Sequence, residues 1–300
     1  MKDIIVIGGG AAGMTAALYS LRAGKSVLII EKENFGGQIA NSPRVENFPS
    51  IKEISGEEFS SNLFDQITNL GADFELENVE KIEKEDQLFK VTTNYNTYYS
   101  KAIIIATGVK HLTIKAKNEE KLNGKGVSYC AVCDGAFFKN EEVCVIGDAN
   151  SAMQYALLLA NTSSKVYLTT LFDRFFGDKI LEERILSNPK IEWIKNVSLE
   201  EFVEENGVLS SLNFRTKDNN LLNLKVKGAF VAIGQVPDNK RFSQLVDLDE
   251  KGYIIAGEDT LTKTPGVFVA GDCRRKNIRQ LTTAAADGAV AGLAAANYVK

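Results

Sequence analysis

The sequence predicts an α/β protein of two doubly wound, three-layer domains, the second inserted into the first. Three observations predict it. An apolar run at residues 4–7 leads into Gly8-x-Gly10-x-x-Gly13 and an alanine-rich stretch, and a second apolar run ends at Glu31. The same order of apolar run, small-residue turn, helical stretch and apolar run returns at residues 142–169. The tail from about residue 242 starts no third copy: it holds one apolar run at 267–270 and an alanine-rich stretch at 283–298, too little for a core of its own. The tail is therefore expected to return to the first domain. Residues 1–112 and 241–300 then form one domain, and 113–240 the insertion.

Each element follows from its local pattern. Residues 4–7 are wholly apolar, as in a parallel strand covered on both faces. A helix is predicted over 13–23, stopped by Gly24, and a strand over 26–30. Residues 88–93 and 97–100 flank an Asn-Tyr-Asn turn and read as a hairpin, and the strand 102–106 runs into Thr107-Gly108. In the second copy, strand 142–146, turn 147–152, helix 153–160 and strand 165–169 follow in order. Hairpins are then predicted from the turn signals Asn206-Gly207 and Asp218-Asn219, before a last strand at 229–233.

The 300 residues suffice for two cores, and 44% hydrophobic with 25% charged residues is an ordinary globular composition. A net charge of −4 argues against general nucleic-acid binding. Lys2 is followed at once by a strand pattern rather than a signal-peptide core, and no run reaches the roughly 18 apolar residues of a membrane span. A cytoplasmic protein without membrane insertion is the expectation.

Gly8, Gly10 and Gly13 lie between a predicted strand and helix, with Glu31 closing the next strand. This is the setting of a Rossmann-like nucleotide-binding turn, where backbone approaches a pyrophosphate at a helix N-terminus and the acid binds a ribose. A turn serving only packing is the alternative. The fingerprint does not separate FAD from NAD. Phe35-Gly36-Gly37-Gln38, Ala106-Thr107-Gly108 and Gly271-Asp272 favour FAD, the last two ending apolar strands on the side where open α/β sheets bind ligands.

Cys130 and Cys133 stand two residues apart before the second copy, a spacing that allows both a disulfide and a dithiol. Asp134 is placed to move protons during exchange; a turn-forming role before Gly135 is the alternative. Zinc would need a second close pair of ligands. Cys144 falls inside a strand, Cys273 is remote, and His111 is the only histidine, so no metal is expected. Cys144 reads as a buried small hydrophobe, and His111 as a surface or domain-crossing residue.

Taken in order, GGGAAG, GGQ, VENFP, ATG, CAVCDG, GDC and RQLTTAAADG resemble the low-molecular-weight (bacterial-type) thioredoxin reductases over essentially the whole chain. The resemblance implies FAD contacts at Gly8, Gly10, Gly13, Glu31, Gly37, Gln38, Asn47, Asp272, Arg279 and Gln280, to which the strand-end reading adds Thr107, Gly108 and Gly271. It implies Cys130 and Cys133 as the redox dithiol and Asp134 as its acid. It also implies thioredoxin as substrate, a homodimer, and an inserted domain that rotates between flavin and partner.

The chain departs from the family at the second nucleotide turn. The usual Gly-Gly-Gly-Asp-Ser-Ala reads Gly147-Asp148-Ala149-Asn150-Ser151-Ala152, which sets a Cβ and a carboxylate where phosphates would lie. The family's His-Arg-Arg, which holds the 2′-phosphate of NADPH, reads Thr170-Leu171-Phe172, with Arg174 a displaced substitute. At about 1.5–3 kcal/mol per charge-assisted hydrogen bond, two lost cations weaken NADPH binding by about two to four orders of magnitude. No acid ends the strand to favour NADH. The pattern resembles the ferredoxin-dependent flavin thioredoxin reductase branch. Ferredoxin is therefore the expected donor, docking on the exposed members of Arg274, Arg275, Lys276 and Arg279; the alternative is a solvated loop there. The rival readings are an NAD(P)H-dependent reductase with altered contacts and a non-catalytic flavin-binding redox sensor.

Overall fold

A computed structural model describes residues 1–42 and 45–299, which divide into two compact units, Met1–Lys110 with Val236–Lys300 and His111–Gln235. In chain order, the first unit opens with β1 (Lys2–Ile7), α1 (Ala11–Arg22), β2 (Val27–Glu31), α2 (Gly56–Thr68), β3 (Asp73–Leu76), β4 (Val79–Glu85), β5 (Leu88–Thr93) and β6 (Thr97–Ile105). A short strand, β7 (Lys110–His111), leads into the second unit. There β8 (Val127–Ser128), α3 (Ala131–Asp134), β9 (Glu142–Ile146), α4 (Asn150–Ala160), β10 (Lys165–Thr169), α5 (Lys179–Ser187) and β11 (Ile191–Ile194) are followed by β12 (Val197–Glu205), β13 (Val208–Thr216), β14 (Leu221–Lys225) and β15 (Gly228–Val231). The chain leaves through β16 (Gln235–Val236) and ends with β17 (Val267–Val269) and α6 (Leu281–Tyr298).

The first unit is built on a sheet of order β3-β2-β1-β6-β5-β4, parallel from β3 to β6 and antiparallel in the β4–β5–β6 hairpins. The two predicted runs 97–100 and 102–106 are one strand. Lys101, which interrupts them in the sequence, reaches Asp3 at 2.7 Å and so stays in the ladder. The far half of β6 pairs in parallel with β17, so the tail strand enters this sheet. Alternate residues feed two cores: Ile4, Val6, Ile29 and Ile104 face α1 and α6, while Ile5, Ile7, Ile103 and Ile105 face Phe89, Phe242 and Val246. The alanine and glycine content of α6 is explained by its packing. A Cβ on Gly288 or Gly292 would lie 2.3 and 2.5 Å from the carbonyl oxygens of Ala12 and Ala16 on α1.

The second unit has a parallel sheet of order β11-β10-β9-β15-β8. One face packs on α4 and α5 through Val143, Val145, Phe230, Met153 and Leu159. The other packs on the antiparallel sheet β12-β13-β14 through Ile146, Val231, Phe202 and Phe214. Cys144 is wholly buried in β9, and burial pushes its thiol up to about 12. Both units are thus three-layered α/β folds with parallel sheets. Among the described residues no helix is long and apolar enough to cross a membrane.

Candidate active site

The first unit gathers its predicted nucleotide-binding residues at the C-terminal edge of the sheet, where β1, β6 and β17 end. Gly8 takes φ 107°, and a Cβ there would lie 2.3 Å from Ala106 O, so only glycine lets β1 turn so tightly against the end of β6. Gly10 is the N-cap of α1, with no side chain capping it and no acid in the first turn. A Cβ on Gly10 would find nothing nearer than Gly36 O and Gly37 Cα, both at 3.9 Å. The free N–H groups of α1 therefore look across a bare glycine floor, the geometry in which a helix end receives an anion.

Glu31 both supports this floor and keeps capacity for a ligand. Its Oε2 accepts the Gly9 N–H at 2.7 Å, and its Oε1 accepts those of Lys32 and Glu33 at 2.8 and 2.9 Å. One lone pair of Oε2 remains for a ribose hydroxyl. Gln38 donates its amide to Val109 O, just after Thr107 and Gly108, and the Asn47 amide donates to Gln280 Oε1 at 3.3 Å. Gln280 is also the N-cap of α6, in a reciprocal capping pair with Thr283.

Gly271 and Asp272 follow β17. Gly271 N–H donates to Asp287 Oδ2 of α6 at 3.1 Å, which pins the loop. Asp272 Oδ1 is buried without an aligned hydrogen-bond donor, with the Lys276 ammonium 3.2 Å away as an ion pair. Burial raises the Asp272 carboxyl pKa above the ordinary carboxylate value, against the pull of Lys276. A buried acid oxygen at a sheet edge, with the Lys276 ion pair as its close charge partner and no aligned hydrogen bond, fits a hydroxyl-rich ligand such as the sugar chain of a dinucleotide.

The four cations after Asp272 do not form the expected surface patch. Arg274 is buried and holds Asp287 through two nitrogens at 2.9 and 3.2 Å. Lys276 lies between Asp272 and Asp287, each at 3.2 Å. Arg279 donates to Asp272 O at 3.3 Å and lies over the Tyr253 ring at 4.1 Å. Of the four, only Arg275 is exposed. Asn239 was not foreseen. Its buried amide joins Gly252 O, Cys273 O and Thr107 at 3.0, 2.9 and 3.2 Å, and no local signal marks a contact spanning 132 residues.

In the second unit Cys130 and Cys133 are joined as a disulfide at the start of α3, with Cα atoms 5.3 Å apart. Both are half-buried, and Val132 between them is exposed. The Cys133 N–H donates to Cys130 Sγ at 3.2 Å. Asp134 Oδ2 accepts the Ser128 hydroxyl at 2.6 Å, while Oδ1 is buried and unpartnered. Burial raises the Asp134 pKa, and the Ser128 hydrogen bond opposes that rise. His111 stacks on Tyr129 at 5.1 Å, and burial holds its imidazole at about 4, so it is neutral at physiological pH.

The second unit's own turn carries side chains at Asp148 and Ala149 where the first has glycines. Ala149 is the N-cap of α4, and the segment after β10 folds onto that helix start. Phe176 N–H donates to Asp148 O at 2.7 Å, and Asn150 and Asp178 exchange hydrogen bonds at 2.8 and 3.1 Å. Where a nucleotide phosphate would need cations, Leu171 and Phe172 are 57% and 47% exposed. The Arg174 guanidinium lies 4.9 Å over the Phe176 ring.

The sequence profile described as "Pyridine nucleotide-disulphide oxidoreductase" matches residues 2–288. A thioredoxin reductase of Listeria innocua is 40% identical over 299 residues, which is 99% of this chain and 94% of that protein. The chain belongs to the bacterial thioredoxin reductase family. As a member of that family it is an FAD-binding flavoprotein and a disulfide oxidoreductase. The crystal structure of thioredoxin reductase from Streptococcus pyogenes superposes with a TM-score of 0.96 at 35% identity, covering 99% of this chain and 98% of that one. A Clostridium pasteurianum relative described as "34.2 kDa protein in rubredoxin operon" is 36% identical, over 99% of this chain and 97% of its own length.

Proposed function

We propose that this family member reduces the disulfide of a thioredoxin-type protein with electrons from reduced ferredoxin, and that Cys130 and Cys133 are the dithiol that meets the partner. FAD is assigned to the first unit, with Gly8, Gly10 and Gly13 at its pyrophosphate and Glu31 at a ribose. Gly37, Gln38, Asn47, Thr107, Gly108, Gly271, Asp272, Arg279 and Gln280 complete its surroundings. Bound FAD supplies a chemistry no side chain has, accepting electrons singly and releasing them as a pair. The chain's own residues do the exchange. A thiolate of the reduced pair attacks one sulfur of the partner disulfide, the other partner sulfur leaves as thiolate and takes a proton, and the second cysteine displaces the mixed disulfide to regenerate Cys130–Cys133. Asp134 carries the proton.

The observation that carries the donor reading is the apolar surface at Leu171 and Phe172, together with a turn in which Asp148 and Ala149 replace glycines and the Asp178 carboxylate accepts from Asn150 at the helix start. A relative whose gene lies with that of rubredoxin, an iron protein, adds support for a one-electron donor. The second reading, an NAD(P)H donor, is favoured by the pyridine-nucleotide family match. Anaerobic mixing of the oxidised holoprotein with NADPH, NADH or photoreduced ferredoxin, followed at the flavin band, separates them. Rapid bleaching is expected with ferredoxin alone. Full bleaching by micromolar NADPH overturns the donor assignment and leaves the dithiol assignment standing. The homodimer and the cytoplasmic setting implied by the family are part of the same reading, and light scattering of the purified holoprotein tests the former.

A further inference from the structure

Ser128 lies outside the Cys-x-x-Cys-Asp motif, is 4% exposed, and is the only residue that touches both the first cysteine's backbone and the acid's carboxyl among the hydrogen bonds at this turn. Its oxygen accepts the Cys130 N–H at 3.0 Å, which leaves its single hydrogen to be donated. Two acceptors are in reach: Asp134 Oδ2 at 2.6 Å and Cys130 O at 3.4 Å. Cys130 O already receives the Asp134 N–H at 3.0 Å, so the hydroxyl hydrogen goes to Oδ2. The reversed arrangement, with Asp134 donating from Oδ2, would send that hydrogen along the longer path to an occupied carbonyl.

An oxygen that accepts a hydrogen bond along its best direction is a poor place for the acid's own proton. The proton of neutral Asp134 is therefore confined to Oδ1, the atom that is buried without a partner. The titratable side chain coupled to this carboxyl is Tyr155 of α4, whose phenol is pushed up by burial and by Asp134 and whose hydroxyl donates to Tyr129 O at 3.4 Å; the cysteine pair adjoins Asp134 in the chain. Tyr129, beside Ser128, turns its hydroxyl away to Glu119 at 2.9 Å.

We propose that Ser128 is a positioning residue that makes Oδ1 of Asp134 the oxygen that hands its proton to the departing thiolate. The inference rests on the disulfide-exchange reading above. When an external dithiol thiolate attacks one sulfur of Cys130–Cys133, the S–S bond breaks and its electron pair stays on the other sulfur. That thiolate takes the proton from Oδ1. The second thiol of the reagent then closes its own disulfide, freeing the remaining cysteine, and Asp134 is left as a carboxylate still bonded to Ser128.

The test uses the oxidised holoprotein and dithiothreitol under argon, with acid quench and alkylation to count freed thiols between pH 5 and 9. Rates of Ser128→Ala are divided by wild-type rates at each pH, so the reagent's own ionisation cancels. With the hydroxyl gone the proton is shared between both oxygens and the carboxylate loses a donor. The variant is expected to be about two- to fivefold slower at acid pH, from halved occupancy of Oδ1 and a weaker acid, with its alkaline limb moved to higher pH, so the ratio climbs with pH. Ser128→Thr, which keeps a hydroxyl, should restore both. A ratio that is flat across pH, or a folded Ser128→Thr that behaves like Ser128→Ala, overturns the proposal. Should Ser128→Ala fail to fold, the infrared carbonyl band of protonated Asp134 in the wild type, assigned by its loss in Asp134→Asn, decides: it should lie below that of an unbonded acid, and an unshifted band overturns the proposal. A wild type inert toward thioredoxin would sink the functional reading instead, since the dithiothreitol assay needs neither donor nor thioredoxin.

Discussion

The glycine turn after β1 and the one after β9 are built on the same plan and differ in the side chains set on it. At the first, α1 begins at Gly10 with no side chain over its N-terminus, and the neighbouring Gly36 and Gly37 keep the floor bare. At the second, α4 likewise begins without a side-chain cap and Phe176 N–H meets Asp148 O as Gly36 N–H meets Gly9 O, but Ala149 stands at the N-cap and the Asp178 carboxylate accepts from Asn150. The strand ends differ in the same sense. β2 ends in Glu31, whose carboxylate keeps a lone pair, whereas Thr170 after β10 accepts the Trp193 indole N–H at 2.9 Å and donates to Phe172 O at 2.7 Å. A helix N-terminus attracts anions only while its N–H groups are accessible and the field is not cancelled by nearby carboxylates. The fold therefore does not by itself make a nucleotide site, and the comparison locates the difference in a few side chains.

The hardest way to break the comparison is at the third glycine. A Cβ on Gly13 would lie 1.9 Å from Gly8 O, a backbone atom that cannot step aside. Gly13→Ala is expected to push α1 off β1, to cost about 3 kcal/mol or more, and to lower Tm by about 6–12 °C. The purified variant should have lost its flavin, read from the absorbance at the flavin band. A yellow protein of unchanged Tm would show that the close helix–strand approach is not what holds the cofactor.

The next effect is a gain. Ala149→Gly combined with Leu171→Arg and Phe172→Arg returns a bare turn and two cations to the second unit. Two charge-assisted hydrogen bonds of about 1.5–3 kcal/mol each predict NADPH affinity stronger by about two to four orders of magnitude. Anaerobic titration of the flavin band with NADPH measures it. No change would mean that Asp148 and the Asn150–Asp178 pair, rather than the missing cations, keep phosphate out.

How legible these two sites are in the sequence differs for a physical reason. Glycine turns and the ends of apolar strands are local, so Gly8, Gly10, Gly13 and Glu31 could be placed from spacing alone. The Cys130–Cys133 disulfide was equally local. The surface patch expected from residues 274–279 is reduced to Arg275 because a run of charge says nothing about what each charge pairs with. Asp287 on α6 absorbs Arg274 and Lys276, a partnership set by the return of the tail to the sheet. Asn239 was invisible for the same reason, and Ser128 because a serine before a cysteine motif has many ordinary uses.

A smaller effect comes from the two acids that each unit keeps out of water. Asp272 and Asp134 both have a buried Oδ1 without a hydrogen bond and both have a pKa raised by burial. A carboxyl whose folded pKa exceeds its unfolded value of 3.8 burdens the fold only above the pH at which the unfolded chain's carboxyl ionises. Below about 3.8 both states are protonated and the penalty is absent; it grows as pH rises from there to the raised folded value and is constant above it. Asp272→Asn and Asp134→Asn should therefore raise the Tm of the flavin-free protein by a few degrees at pH 7 and by nothing near pH 3.5, as a thermal series across pH would read. The same Asp272→Asn should bind FAD more weakly, since the orphaned oxygen is placed for a ligand rather than for the fold.

The smallest effect returns to the third position of the turn, now in the second unit. Ala152 is wholly buried there, where the first unit accepts only Gly13. The neighbouring Gly147 would meet the Ala152 Cβ at 3.0 Å if it carried a side chain, so the methyl group already fills the gap between β9 and α4. Ala152→Gly removes a packed methyl and adds backbone freedom to a helix, which together cost about 1–2 kcal/mol and about 2–6 °C in Tm. No gain in nucleotide affinity should accompany it, because the obstruction at this turn lies at Asp148, Ala149 and Asp178 rather than at the helix–strand contact. Tighter NADPH binding in Ala152→Gly would show the opposite: that the second turn is held shut by the spacing of α4 from β9, and that its side-chain substitutions are secondary.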